Sequence, residues 1–275
     1  MSYRINSFIK SDKEVASYEK RLSICISSNG FSFSVVSKDD ELLALGDIEC
    51  DMNASMSQLL GDIKGAFNEV GLKTFGLKET ELVVPARYFV WIPMHLYDET
   101  KNSQYIDSIH KIAVGESVFA DYNAAAGAQL IFVANSTLVS TFRIAVTGIR
   151  VRAQHSKLVN ADTLDASQMK SLMVINLREK ESDFAIFVNR KLQLSNTFDC
   201  SNLDEMLYHA VNINKQLRLD DLPLTVALCG ETKREDYSRV REFFNDVALY
   251  TGHNLAMSTD DLRRAPIYRY ALTLS

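Results

Sequence analysis

Residues able to do acid–base, nucleophilic or metal chemistry are thinly spread along this chain. The five histidines are His95, His110, His155, His209 and His253. None has ligand spacing to another histidine or to a cysteine, so no metal site is expected. Each reads as a structural histidine, at the surface or partly buried. The four cysteines, Cys25, Cys50, Cys200 and Cys229, include no C-x-x-C pair, and three sit within or at the end of apolar runs. Reduced, buried thiols in a cytoplasmic protein are the expectation. No Gly-x-Ser-x-Gly elbow and no Walker A loop is present, which leaves α/β-hydrolase and P-loop chemistry without support. Arg263-Arg264 reads as a solvated turn before Pro266. Tyr88, Phe89, Trp91 and Ile92 read as core rather than as a partner patch.

Composition excludes further classes. The chain has 275 residues, 47% hydrophobic and 24% charged, with a formal charge of −5. That balance suits a soluble globular protein with a sizeable core. It does not suit a nucleic-acid binder, whose affinity comes from clustered Lys and Arg. No apolar stretch approaches the roughly 18 residues of a membrane span. The opening MSYRINSFIKSDKEV has no apolar h-region, so no signal peptide is expected and a cytoplasmic location is.

The elements that must position any site come as an echo. Arg21–Cys50 and Ser171–Cys200 lie 150 residues apart (21 to 171, 50 to 200). Each has three apolar runs joined by polar turns and ends with an acidic residue before a cysteine. The first turn reads as longer in the second copy and the second turn as shorter. In the first copy, Phe31, Phe33 and Val35 alternate with serines, which predicts a half-covered strand. A helix follows each copy. Leu59, Ile63 and Phe67 form the buried stripe of the first, with Asn53 or Ser55 as cap and Gly71 as stop. Met206, Ala210 and Ile213 form that of the second, with Ser201 and Asp204 as capping pair.

Between the copies, Glu81–Ile92 is broken by Pro85, giving an edge strand or a strand and a separate segment. Ser103–Val114 predicts a helix with Ile106, Ile109 and Ala113 on one face. Leu130–Val133, a helix through Phe142, and Ile149–Ala153 predict a parallel strand–helix–strand unit. After the second copy come a strand at Leu224–Cys229, a helix over Tyr237–Val247, a weak strand at His253–Met257 and a terminal strand at Ile267–Leu274. The division into halves is expected at 1–157 and 158–275.

Two runs of β-β-β-α-β-α-β in one chain resemble the actin-like ATPase superfamily, and Leu130–Ala153 in particular is similar to the PilM-type strand–helix–strand. The chain also resembles an uncharacterised bacterial family of similar length. The resemblance, covering about residues 20–275, implies an α/β fold of two ribonuclease H-like halves. Each half is a mixed sheet that opens with a three-stranded antiparallel meander. A ribonuclease H-like nuclease would need carboxylates on the first strand, and Leu22–Ile26 has none.

The superfamily binds nucleotide between its halves, and the resemblance implies where. The first hairpin normally carries Asp-x-Gly-Ser/Thr; here it has Ser27, Ser28, Asn29 and Gly30 after Ile26. The second normally carries Asp-x-Gly-Gly; here it has Asn176-Leu177-Arg178-Glu179-Lys180-Glu181, without glycine and with repelling glutamates. The adenosine loop normally has Gly-Gly; here only Gly230 precedes Glu231. Ser27, Ser28, Asn29, Gly30 and Gly230 are thus the candidate cleft residues, with no catalytic residue and no metal ligand. The implied function is a non-catalytic protein- or peptide-binding module without cofactor. The alternative is an ATPase or small-molecule kinase with divergent loops, using ATP and Mg. A structural oligomer subunit stays open, because fold alone does not decide function.

Overall fold

A computed structural model describes residues 2–159, 171–219 and 222–275. The chain runs β1 (Arg4–Lys10), β2 (Lys20–Ser27), β3 (Gly30–Ser37), β4 (Glu41–Glu49), α1 (Met56–Glu69), β5 (Glu79–Val84) and β6 (Phe89–Pro93). It continues through α2 (Asn102–Asp107), β7 (Glu116–Asn123), β8 (Ala128–Asn135), α3 (Ser136–Ala145), β9 (Arg150–Ala153) and α4 (Gln154–Val159). Then come β10 (Ser171–Leu177), β11 (Glu181–Val188), β12 (Lys191–Asp199), α5 (Leu203–Gln216), β13 (Leu224–Gly230), α6 (Arg234–Val240) and β14 (Asp246–Leu249). The last elements are β15 (Ala256–Met257), α7 (Asp260–Arg264) and α8 (Ala271–Leu274).

Two compact units result. One comprises Met1–Tyr122, Gly127–Gln154 and Leu255–Ala265; the other Asn123–Ala126, His155–Asn254 and Pro266–Ser275. A single cut at 157/158 leaves Leu255–Ala265 on the wrong side of this division. Residues 160–170, where the inter-half boundary was expected, lie outside the described residues.

The duplication is visible as topology. The first unit's main sheet contains the order β4-β3-β2-β5-β9, and the second unit's sheet is β12-β11-β10-β13-β14. In both, the first three strands pair antiparallel and the last two join in parallel. The register sharpens the echo. Ile26 pairs with Phe31 as Leu177 pairs with Ser182, an offset of 151 (26 to 177, 31 to 182). Glu49 and Leu42 correspond to Asp199 and Leu192, an offset of 150. The first turn is therefore equal in length in the two copies, not longer in the second. Only the second turn shortens, by one residue. There Asn189 and Arg190 both take positive φ (48° and 63°), as a two-residue hairpin turn requires.

Packing follows the apolar pattern with several corrections. Leu59, Ile63 and Phe67 are buried, as are Met206, Ala210 and Ile213. Phe31, Phe33, Phe67 and Phe142 meet edge-to-face at centroid distances of 5.4–5.6 Å, the geometry that ring quadrupoles favour. β3 is not half-covered. Ser34 and Val36 are buried as well, so side chains on both faces of the strand are covered. Ser55 caps α1 through the Gln58 N–H. Asn202, not Ser201, caps α5, while the Glu205 carboxylate accepts from the Ser201 N–H. β5 is an interior strand, and Pro85 separates it from β6, which joins the sheet β6-β8-β7. α2 stops at Asp107, leaving Ile109 and Val114 exposed.

β8 and β9 do not pair; β8 joins β6 and β7, while β9 pairs in parallel with β5. The helix expected over Tyr237–Val247 ends at Val240, and β14 begins at Asp246. The terminal segment is helical: Ile267–Tyr270 form a 3-10 turn and α8 follows. Its alternation misled because Ala271 and Thr273, the intended outer face, are buried too.

Candidate functional site

The first hairpin turn is tight. Ser27 pairs with Gly30 across it, and the Ser27 hydroxyl donates to the Asn29 side-chain oxygen (3.1 Å). Ser28 and Asn29 are exposed, but Gly30 is buried inside β3. Gly30 has φ +154°, and a Cβ there would stand 1.9 Å from the Ile48 carbonyl oxygen. Its lack of a side chain is thus required by the β3–β4 contact itself, whether or not any ligand approaches. The Asn29 carbonyl accepts from Cys50 N–H (3.0 Å), as the Lys180 carbonyl accepts from Cys200 N–H (2.9 Å). The acidic–Cys signature of each repeat therefore closes its own first hairpin. Burial pushes the Cys50 thiol up to about 11, and Cys200 is raised for the same reason. Neither is a reactive thiolate at neutral pH.

The second unit gathers the other two loops. Leu177 of β10 pairs with Gly230 of β13, and the Glu231 N–H donates to the Leu177 carbonyl (2.8 Å). Gly230 has φ +76°, and a Cβ would meet the Leu177 carbonyl oxygen at 2.3 Å and the Asn176 side-chain oxygen at 2.4 Å. This glycine, too, is explained by strand packing. The register makes Arg178 the counterpart of Ser27 and Asn176 the counterpart of Cys25.

Beneath this hairpin lies a polar cluster that sequence reasoning missed. Asp183 of β11 is fully buried. Arg178 grips it with two hydrogen bonds, Nε to Oδ2 (2.9 Å) and Nη2 to Oδ1 (2.8 Å). Asn176 donates to Oδ2 (2.9 Å), and the Thr197 hydroxyl of β12 donates to Oδ1 (2.7 Å). Arg178 also pairs with Glu181 at 2.6 Å. Burial by itself would raise the Asp183 carboxyl; the Arg178 charge above all outweighs it and holds the group at about 2. Only alternation could have hinted at this cluster. In Ser182-Asp183-Phe184-Ala185 a charge falls inside an apolar strand, and buried charge demands a partner.

His155 of α4 completes the cluster and is fully buried, contrary to the exposure expected of it. Because Thr197 gives its proton to Asp183, its oxygen accepts from His155 Nε2 (2.9 Å). Ser195 Oγ then donates to Nδ1 (2.9 Å). The network thus selects the neutral Nε2–H tautomer. Burial pushes the imidazole down to about 4. A group that acidic is a poor base at neutral pH, so the Ser195–His155 pair is no activated nucleophile.

The titration has a consequence for stability. The folded value near 4 lies below the roughly 6.5 of an unfolded histidine. Between those values the unfolded chain binds the extra proton, so stability is present above about pH 6.5 and falls as pH drops toward 4. The expected slope is about 1.4 kcal/mol per pH unit, about 3 kcal/mol over the window. Urea unfolding at pH 7, 6 and 5 should show this decline, and His155→Asn should flatten it. Equal stability at pH 7 and 5 in the parent would refute it.

Other residues singled out above have local roles. Arg263 donates to the Met257 carbonyl and pairs with Asp260. Trp91 is half-buried against the first unit's core. Among the described residues no cysteine forms a disulfide, and no group of three His, Cys, Asp or Glu could hold a metal ion. The oxygens of Asp183 face Arg178, Asn176 and Thr197, a donor set that does not fit a magnesium–nucleotide complex. No helix among the described residues is long and apolar enough to cross a membrane.

These halves and hairpins define an actin-like ATPase fold. A Bacteroides thetaiotaomicron protein with actin-like ATPase fold and unknown function aligns at TM-score 0.69 and 20% identity, covering 85% of this chain and 91% of that one. A chain of the PilM–PilN type IV pilus biogenesis complex aligns at TM-score 0.66 and 9% identity, covering 94% and 97%. No curated protein matches the sequence. Residues 10–247 match the model of the DUF3822 family, proteins of unknown function, and the chain belongs to that family.

Proposed function

We propose that this protein is a non-catalytic member of the actin-like fold that works in the cytoplasm by binding a protein or peptide partner, without nucleotide or metal. Arg178 is the observation that carries the reading. In the hairpin where the fold's second phosphate loop is expected, its guanidinium turns inward onto Asp183 and Glu181. A cation so engaged is committed to holding the hairpin, and exposed Glu179 adds negative charge beside it. Phosphate would have to approach against that field. Gly30 and Gly230, the two glycines that could admit a phosphate, are both needed for strand packing. The partner class is supported by the fold relative PilM, which is seen in complex with PilN.

Isothermal titration of the full chain with Mg-ATP, backed by thermal melts, tests the reading. No heat of binding and no rise in midpoint are expected at millimolar nucleotide, since a ligand of the native state must raise the midpoint. A micromolar dissociation constant, weakened by replacing Ser28 and Asn29 with alanine, would favour the ATPase or kinase reading built on Ser27, Ser28 and Asn29.

A further inference from the structure

We infer that a cavity in the second unit binds a cation carried on an apolar stem, an alkylguanidinium or alkylammonium group. The cavity measures about 310 Å³ and lies between the end of α5, the loop leading into β13 and the start of β14. That volume suits a small ligand or one long side chain. The duplication shows that such a gap is no general feature of this sheet. In the first unit the loop after α1 and the loop before β9 are joined, the Thr147 N–H donating to the Thr74 carbonyl (3.4 Å). The Thr80 hydroxyl of β5 donates to the Thr147 carbonyl (3.2 Å). In the second unit the corresponding loops frame the cavity instead.

The lining passes from apolar and buried to acidic and exposed. Leu219 and Phe244 are buried, whereas Phe243, Asn245 and Asp246 are exposed. Asp246 carries the one charge among the lining residues, and none of them is basic. The Thr225 hydroxyl donates to Asp246 Oδ2 (2.5 Å). That bond fixes the carboxylate but leaves its charge, and no ion pair engages it among the described residues. Asn214, 9% exposed, lines the cavity from the last turn of α5. The carbonyl end of a helix carries partial negative charge and favours a cation. Lys215, the basic residue of that turn, is not part of the lining. Phe243 adds an aromatic surface of a kind that attracts cations. The Arg239 guanidinium already lies 5.1 Å from its ring centroid, with Glu242 and Asp204 offsetting that charge. A ligand's methylene stem can therefore pack on Leu219 and Phe244 while its charged head stays at Asp246. An anion would meet only negative charge there.

Saturation-transfer NMR of the full chain tests this with three probes: butylguanidinium, its neutral isostere butylurea, and the blocked peptide acetyl-Gly-Arg-Gly-amide. Butylguanidinium should bind in the millimolar range expected of so small a ligand. It should bind about tenfold more tightly than butylurea, because only the cation meets the Asp246 charge. Asp246→Asn keeps an acceptor for Thr225 and should weaken butylguanidinium by about tenfold, down to the level of the urea. Glu235→Gln makes the same change in net charge at an exposed position outside the lining and should leave binding as it is. Circular dichroism checks that both variants fold. Peptide binding as tight as that of butylguanidinium supports the cavity and assigns it to a partner's side chain; binding of butylguanidinium alone supports it and assigns it to a small molecule. No saturation transfer to butylguanidinium, equal binding of the urea, or equal effects of the two substitutions would each overturn the inference. None of these outcomes depends on the Mg-ATP titration, so the two proposals fail separately.

Discussion

Arg178→Met is expected to lower the unfolding free energy by about 3–5 kcal/mol at pH 7, because it strands a fully buried carboxylate. Asp183 would keep the Asn176 and Thr197 donors but lose the bidentate cation that offsets its burial. The loss should depend on pH in a definite sense. In the parent the carboxyl sits near 2, below its unfolded value of about 3.9. Its contribution is therefore present above about pH 4 and disappears as pH falls toward 2. Without Arg178, burial raises the carboxyl instead, and the protein can fold with the acid protonated. The gap between parent and variant should thus narrow as pH falls from 7 to 4. The double variant Arg178→Met/Asp183→Leu should recover much of the loss, since a hydrophobic replacement of a buried pair is often near neutral. Urea unfolding at pH 7 and pH 4 measures all three. A single variant within about 0.5 kcal/mol of the parent would show that Asp183 does not depend on Arg178.

Gly230→Ala and Gly30→Ala should be similarly costly, about 3–5 kcal/mol each, combining a disfavoured backbone with a forced shift in packed strands. At Gly230 the added carbon meets a backbone carbonyl at 2.3 Å with φ at +76°; at Gly30 it meets one at 1.9 Å. Gly71 provides the control. Its φ is +69°, but nothing lies within 4 Å of the added carbon. Gly71→Ala should therefore lose only the conformational part, about 1–2 kcal/mol. Thermal and urea melts of the three variants separate strain from crowding. If Gly30→Ala and Gly230→Ala cost no more than Gly71→Ala, these glycines are spared by packing and a ligand-related reason for them returns. Because both substitutions act on folding, neither reports on ligand binding; Ser28 and Asn29, exposed in the turn, are the positions that do.

Regular elements were legible where one apolar period dominated. The three-strand repeats, α1, α5 and β13 each carry a local signal, because a buried face imposes its spacing on the chain. The failures share a cause. At β3, and again at Ile267–Leu274, both faces are buried, so alternation stops reporting on conformation. β14 was hidden because Phe243 and Phe244 continue the helical spacing of α6 past its end at Val240. β8 and β9 lie in sequence as a parallel unit would, yet their partners come from elsewhere in the chain.

What the amino-acid order determined by itself is the duplication and the chemistry of the turns. The echo of Arg21–Cys50 in Ser171–Cys200, the absence of an acid from the first hairpin turn and the absence of glycine from the second are local facts that need no coordinates. Tertiary structure alone decided what those turn residues are for. Asp183 acquires its meaning only when β10, β11, β12 and α4 bring Arg178, Asn176, Thr197 and His155 to its oxygens. Gly30 and Gly230 acquire theirs only when neighbouring strands close on them. Hydrogen-bond partners and excluded volume are set by pairs distant in sequence, and no local period encodes them.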